Sequence, residues 1–480
     1  MKKTITFFLN GILKEAGVKA ETTILELLRN SLDLHGIKEG CGEGDCGACT
    51  VVIGEVINGR VHYKSAAGCL YLAAKLEGKH LITIEGISDQ NKLHPIQEAI
   101  LNVHATQCGF CTPGVSLSIL ALYLEKSNPA KDEFRRYLEG NLCRCTGYTS
   151  IRQVPKYLEE LNISTEDIRP DYLSDTERKQ LAFVSEDIFV DDGKNAYYSP
   201  ISDHNLVSFL NNYKTLTEGG SFSYLNGGSD VVVGIKKHGK HYRLLIDLSR
   251  IPAMQHLSCR KDSLSIGGSV SLSRIIDSTK ASFPELSSAI SRMCSEQVRS
   301  TATMSGNVVN ASPVADTVPL LMAMDAQLNL ADKNGFRTIP IRNFFHGYKI
   351  TENRPDEWIS SISIPLGRYN FIHFEKVSKR KEVDISSVNS AIALWVEKDI
   401  IKEAHIVCGG VGATTLYMPK VSRYLEGKEM KEETFTEAFD VIEAEATPIG
   451  DVRGSKEYRK ALLQNLLMKH FLAYKTRQEV

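Results

Sequence analysis

Three cysteines fall within nine positions in CGEGDCGACT, residues 41–50, with three glycines between them. Glycine fills no core and loses the most freedom on ordering, so thiols placed in such a loop are not there to pack. Two chemistries gather cysteines this way: the disulfides of small secreted domains and the thiolates of metal sites. Cys41, Cys46 and Cys49 stand in the order C-x4-C-x2-C, with Cys69 farther on. That is the plant-type [2Fe–2S] ligand spacing. Glycines then have a purpose, because a loop wrapped tightly round charged sulfur aims its N–H groups inward and needs positive φ at some positions.

The rest of the chain favours metal over disulfides. At 480 residues, with 42% hydrophobic and 24% charged residues, it can bury several cores without covalent staples. A prior of about 150 residues per domain gives roughly three or four domains. A net charge of −1 offers no field to recruit nucleic acid or an anionic membrane, and no apolar run is long enough to span a bilayer. The opening MKKTITFFLNGILKEAG superficially resembles a signal peptide, but Asn10-Gly11 interrupts it and reads better as a hairpin turn. The expectation is a cytoplasmic protein, and hence reduced thiols.

After that hairpin, Thr23 and Glu26 have capping-box spacing ahead of a helix. A β-rich stretch with a second Asn-Gly follows, so residues 1–85 read as a small β-rich domain. From HPIQEAILNVHATQ the pattern turns helical to about residue 163, with Ile96, Ala99, Ile100 and Val103 on one face and VSLSILALYLEK apolar enough for a buried helix. Residues 164–193 are charged and weakly periodic, and are expected to be a linker. Short β runs alternate with helices over 194–367, with glycine-rich turns at YLNGGSD, SIGGSV and SGNVVN. The segment 368–480 begins with strands and ends in a helix.

A second thiol set lies in the helical region: Cys108 and Cys111 in QCGFCTPG, Cys143 and Cys145 in NLCRCTGY. Thr112-Pro113-Gly114 should start the helix leading away. Taken alone, this tetrad leaves structural zinc and iron–sulfur both open, although C-x-C closing C-x2-C is not a usual zinc spacing. Cys259, Cys294 and Cys408 are expected to be buried and inert. The glycine turns could cradle a diphosphate, or be hairpin turns only. EAHIVCGGVGATT looks like the start of a Rossmann unit but lacks its third glycine, and no clear helix is visible at Pro419, so no NAD site is placed there. The thirteen histidines show no ligand spacing.

GCGEGDCGACTV, TQCGFCTPG and GNLCRCTGY together resemble the molybdenum hydroxylase family, in particular the small iron–sulfur/FAD subunits of its bacterial xanthine dehydrogenases. The resemblance implies an α+β multidomain fold: a β-grasp-like ferredoxin domain over 1–85, a four-helix [2Fe–2S] domain over 86–163, an FAD-binding domain over 194–367 and a C-terminal flavoprotein domain over 368–480. It implies that Gln107 reaches toward the pterin of a partner. It places Leu225, Asn226, Gly227, Gly228, Ser229, Asp230 and Val231 along the FAD pyrophosphate. Thr303, Met304, Ser305, Gly306 and Asn307 are assigned to phosphates and ribose, with Asp316, Ile359 and Lys376 also at the cofactor. Ser305 departs from the family's usual Gly-Gly-Asn at that point.

By the same likeness, electrons would pass from a purine oxidised at the molybdopterin of a separate large subunit, through two [2Fe–2S] clusters, to FAD and on to NAD. No catalytic acid or base is expected in this chain, and an (αβ)2 assembly or similar is implied. Three rivals stand beside this: a sister enzyme acting on an aldehyde, a nicotinate-like heterocycle or an aromatic acyl-CoA; a stand-alone NADH-oxidising iron–sulfur flavoprotein; and a zinc-stabilised scaffold.

Overall fold

A computed structural model of the chain describes residues 4–88, 92–213 and 221–478. Two compact units emerge: Met1–Ile251 with Cys294–Ala302, and Pro252–Met293 with Thr303–Val480. Among the described residues no helix is long and apolar enough to cross a membrane.

The first unit is built on a mixed five-stranded sheet of β1 (Thr4–Leu9), β2 (Ile12–Gly17), β3 (Thr50–Ile57), β4 (Arg60–Ala67) and β5 (His80–Ile82), in the order β2-β1-β5-β3-β4. β1 and β5 are parallel and the other pairs antiparallel. Both Asn-Gly turns close hairpins with positive φ at each position, 48° and 84° at Asn10-Gly11 and 50° and 74° at Asn58-Gly59. Side chains alternate across a strand, and β3 uses both faces. Val51 and Ile53 enter one apolar core, Val52 the other.

The second face meets the helices α1 (Pro95–Asn102), α2 (Thr112–Glu125), α3 (Lys131–Leu138) and α4 (Val154–Glu160). α2 is buried on nearly every side, as its largely apolar run requires, and its buried Ser116 and Ser118 donate to main-chain carbonyls one turn back. The expected linker is packed structure instead. Residues 164–193 hold the helices Thr165–Ile168 and Leu173–Leu181 and the strand Ile188–Asp191. Only a few apolar side chains anchor them, Ile168 and Leu173 among them, and the charged residues form the wet face that made the stretch look unstructured. The first core also takes in Ile188, Tyr197, Leu225, Val232 and Leu245, so the first part of the FAD region shares a core with the ferredoxin-like sheet.

The second unit holds two larger antiparallel sheets beside the two-stranded pair Phe345–Gly347 and Ile350–Thr351. One runs Leu257–Cys259, Ser263–Gly267, Trp358–Pro365, Gln327–Asp332, Gly335–Pro340; the other runs Phe371–Val377, Val388–Glu397, Ile400–Gly409, Leu416–Tyr417. The helices Pro419–Leu425, Glu432–Glu437 and Phe439–Glu445 and the long Lys456–Gln478 share the second sheet's core. Three expectations are corrected here. A helix does begin at Pro419, where proline's fixed φ suits the first helical position. SGNVVN is a helix, Met304–Asn310, because Thr303 caps it by accepting the Gly306 N–H. Cys259 is exposed and Cys294 half-buried; only Cys408 is fully buried.

Candidate cofactor sites

The loop 41–49 follows the helical segment 24–31 and leads into β3, with its glycines at positive φ: 69° at Gly42, 85° at Gly44, 67° at Gly47. A Cβ on Gly40 would stand 2.8 Å from the Cys46 sulfur. The Cys41 N–H donates to Cys46 Sγ at 3.4 Å, and the N–H groups of Glu43 and Asp45 donate to Cys41 Sγ at 3.3 Å. Cys46 and Cys69, followed by those two N–H groups, hold the Cys41 thiol far below its ordinary range against the cost of burial. Their shared interaction with Cys41 pushes Cys46 and Cys69 up. Cys49 also contacts Cys69.

In the second set, Cys108 and Cys145 lie 3.5 Å apart, and Cys111 contacts Cys143. Burial, then Cys143, pushes Cys111 up to about 12. Against its own burial, Cys143 is held low by the Thr146 hydroxyl, which donates to its sulfur at 3.1 Å. A single tetrahedral zinc holds four sulfurs about 3.8 Å apart in all six pairs. Among the described residues, no three of these sulfurs are all within 4.8 Å of one another. They gather in close pairs, which suits two iron atoms taking two thiolates each. Cys108, Cys111, Cys143 and Cys145 therefore fit one [2Fe–2S] cluster, and Cys41, Cys46, Cys49 and Cys69, in which Cys41 contacts Cys46 and Cys69 and Cys49 contacts Cys69, would hold another.

The two thiol loops touch through main chain. The Leu142 N–H donates to the Cys46 carbonyl at 3.0 Å. Buried Asn141 donates to the Gly47 carbonyl at 3.2 Å and accepts from Ser118 at 2.8 Å and Gln297 at 3.1 Å. A Cβ on Gly114 would overlap the same Gly47 oxygen. Sequence reading missed this junction, although Asn141 and Thr146 stand beside the cysteines in GNLCRCTGY. Gln107, Cys108 and Cys145 are exposed, with Phe110 and Leu142 beside them at 47% and 45% exposure.

The flavin residues divide between the units. In the first, Leu225 is buried at the end of the strand Phe222–Leu225. Asn226 to Ser229 form a half-exposed turn, and Ser229, Asp230 and Val231 open the helix Ser229–His238, whose first N–H groups have no partner within the helix. Its cap, Gly228, has φ 83° and open space where a Cβ would be. Such a turn fits a diphosphate.

In the second unit, Thr303 starts the helix holding Met304, Ser305, Gly306 and Asn307; Gly306 is exposed, while Met304 and Ser305 are buried. The Ser305 hydroxyl donates to the Gly268 carbonyl, and Gly268 abuts Ile359. Lys376 is buried with all three donors used, on Asp316 (2.7 Å), the Asp384 carbonyl (2.7 Å) and the Arg292 carbonyl (3.2 Å). Asp316 also accepts from Ser386 and Asn389. Lys376 and Asp316 thus form a closed, satisfied network. A trio absent from the sequence reading, Asp325, Glu403 and His405, is engaged by Arg342 and Arg368.

Four family matches run along this chain. Residues 7–73 match a 2Fe-2S iron-sulfur cluster binding domain, 83–156 a [2Fe-2S] binding domain, 193–367 the FAD binding domain in molybdopterin dehydrogenase, and 373–474 the CO dehydrogenase flavoprotein C-terminal domain. The chain is an iron–sulfur and FAD-binding member of the molybdenum hydroxylase family. It is 30% identical to xanthine dehydrogenase of Oryza sativa subsp. japonica, across 94% of this chain and 38% of that protein. It is 29% identical to aldehyde oxidase 1 of Rattus norvegicus, across 98% and 39% respectively. This family member therefore spans about two fifths of the length of these relatives. Of its residues, 57% superpose on 94% of a chain of carbon monoxide dehydrogenase from Hydrogenophaga pseudoflava, a structure lacking the Mo-pyranopterin moiety of the molybdenum cofactor, with TM-score 0.53 and 25% identity.

Proposed function

We propose that this chain is the electron-transfer subunit of a xanthine dehydrogenase-like molybdenum hydroxylase. It relays electrons from a purine oxidised on a large molybdopterin-bearing partner, through the Cys108/Cys111/Cys143/Cys145 and Cys41/Cys46/Cys49/Cys69 centres and FAD, to NAD. Bound clusters supply one-electron transfer and FAD supplies two-electron exchange. The chain's own residues ligate, orient and insulate. The observation supporting the relay best is the Leu142 N–H to Cys46 carbonyl hydrogen bond, a short main-chain bridge from the residue before one ligand to another ligand.

Exposure supports the proposed direction of the relay. Cys108 and Cys145 lie at the surface beside Phe110 and Leu142, where a partner would dock, while Cys49 and Cys69 are buried. The half-exposed turn 226–229 suits the FAD pyrophosphate. We further propose a cytoplasmic hetero-oligomer with the large subunit, of (αβ)2 type. A second reading, the same relay in an aldehyde-oxidising sister enzyme, is favoured by the near-equal identity to aldehyde oxidase 1.

The test is co-expression with the adjacent large subunit, then anaerobic rapid mixing with xanthine or with an aldehyde while flavin absorbance and NAD reduction are followed. Xanthine-driven NADH formation is expected. Bleaching by the aldehyde alone transfers the relay to the sister enzyme. About four irons per chain and two distinct paramagnetic centres are expected, and a colourless zinc protein ends the redox reading.

A further inference from the structure

Outside the thiol loops, Lys75 is a buried cation. Lys75 lies in the turn Ala73–Leu76, six residues after Cys69, and is 5% exposed. Its ammonium has three donors, and all three are spent on one region: the Asn226 carbonyl at 2.9 Å, Asp247 Oδ2 at 2.7 Å and Ser249 Oγ at 3.1 Å. Asp247 is wholly buried and also accepts from the Tyr197 hydroxyl at 2.6 Å and the Ser249 N–H at 2.9 Å.

A buried ion pair is a poor device for stability, because apolar side chains of the same volume do as well. What it can do that they cannot is donate to a chosen carbonyl. Here that carbonyl belongs to Asn226, the first residue of the turn before Gly227, Gly228 and Ser229. A trans peptide points its C=O and the following N–H in opposite directions. Gripping the Asn226 oxygen therefore turns the Gly227 N–H away from Lys75. On another side, a Cβ on Gly227 would overlap the Thr301 carbonyl and stand 2.8 Å from Ala302 Cα. That segment is itself pinned, since the Ser300 hydroxyl donates to the Ser65 carbonyl at 2.6 Å and buried Arg299 pairs with Glu296 at 3.2 Å.

We propose that Lys75 is a positioning residue for the flavin turn, so that FAD retention depends on a side chain of the ferredoxin-like domain. This rests on the reading of residues 225–231 as the pyrophosphate loop. With its three donors spent on protein atoms, Lys75 acts through the Asn226–Gly227 peptide.

Lys75→Met alone strands a buried Asp247 carboxylate and endangers folding, so the informative variant is Lys75→Met with Asp247→Asn, which removes both charges. The full chain is stripped of flavin and titrated with FAD, with binding followed by flavin fluorescence. Cluster absorbance and the melting temperature of the flavin-free protein are recorded alongside. The double variant should keep both cluster signals and melt, without flavin, no more than about 6–12 °C lower, the loss of three hydrogen bonds, while the FAD Kd rises about tenfold or more, the loss expected for one charge-assisted hydrogen bond. A Kd within about twofold of wild type overturns the role of Lys75. A Gly227→Val variant that keeps wild-type affinity overturns the loop assignment itself, a separate failure.

Discussion

Asn141 is the place to test whether the two thiol loops form one mechanical piece. Replacing it with alanine removes three side-chain hydrogen bonds: to the Gly47 carbonyl and from Ser118 and Gln297. The stranded groups are not left bare. Ser118 still donates to the Gly114 carbonyl at 2.9 Å, Gln297 reaches Ser118 at 2.9 Å, and Thr50 donates to the Gly47 carbonyl at 2.7 Å. The full penalty for orphaned buried groups therefore does not apply, and three bonds at about 1 kcal/mol each give about 3 kcal/mol. For a unit of this size that is a fall of about 6–12 °C in melting temperature. The assay follows circular dichroism and cluster absorbance together during heating, with paramagnetic resonance on quenched samples. Both centres should bleach in one transition, at a lower temperature than in the parent, and Ser118→Ala should cost less. A loss under about 1 kcal/mol, or one centre persisting well after the other has gone, refutes the shared junction.

Cys143→Ser should alter one paramagnetic centre and abolish xanthine-driven bleaching of FAD while NADH still bleaches it; an undiminished purine-driven rate breaks the proposed order. Gly227→Val places a branched side chain against Ala302 and the Thr301 carbonyl, so FAD content should fall with iron retained, read by flavin release and iron assay. His80 is wholly buried, accepts the Gly11 N–H at 3.2 Å, and is pulled by burial to a pKa of about 3. The unfolded chain takes up that proton near pH 6.5 and the fold does not. Stability should thus fall as pH drops from about 6.5 toward 3, and His80→Gln should flatten the slope of the urea midpoint against pH. Lys376→Met leaves Asp316 buried without its cation and should destabilise the second unit by about 3–5 kcal/mol in chemical denaturation; a loss below about 1 kcal/mol would mean the pair is not buried as described.

Local chemistry was readable in the sequence wherever neighbours in the chain set it. Asn10-Gly11 and Asn58-Gly59 demanded positive φ and closed hairpins, and Thr23 with Glu26 formed the capping box. Cysteines that the spacings put in one set lie in contact, Cys41 with Cys46 and Cys69, and Cys108 with Cys145. What escaped was long-range or one-sided. Lys75 meets Asn226 across 151 positions, and Asn141 meets Gly47 across 94, with no periodic signal to announce either. Residues 164–193 looked like a linker because two short helices need few buried side chains, and Ile168 and Leu173 are too sparse to set a period. Glycine in SGNVVN disguised a first helical turn, where its cost is small and Thr303 supplies the cap.

The division of the flavin region is the deeper lesson. The FAD-binding match spans residues 193–367, yet the chain's compact units part at Ile251, within it. The first portion buries Tyr197, Leu225, Val232 and Leu245 in the same core as Ile5, Val51 and Cys69. Sequence domains record descent; cores record what moves together, since close-packed interiors deform little. A relay needs its stations at fixed separations. Folding Leu225 and Val232 into the core that takes in Cys49 and Cys69 ties the turn between them to the first thiol loop without a dedicated interface, and Lys75 adds a hydrogen bond to the Asn226 carbonyl.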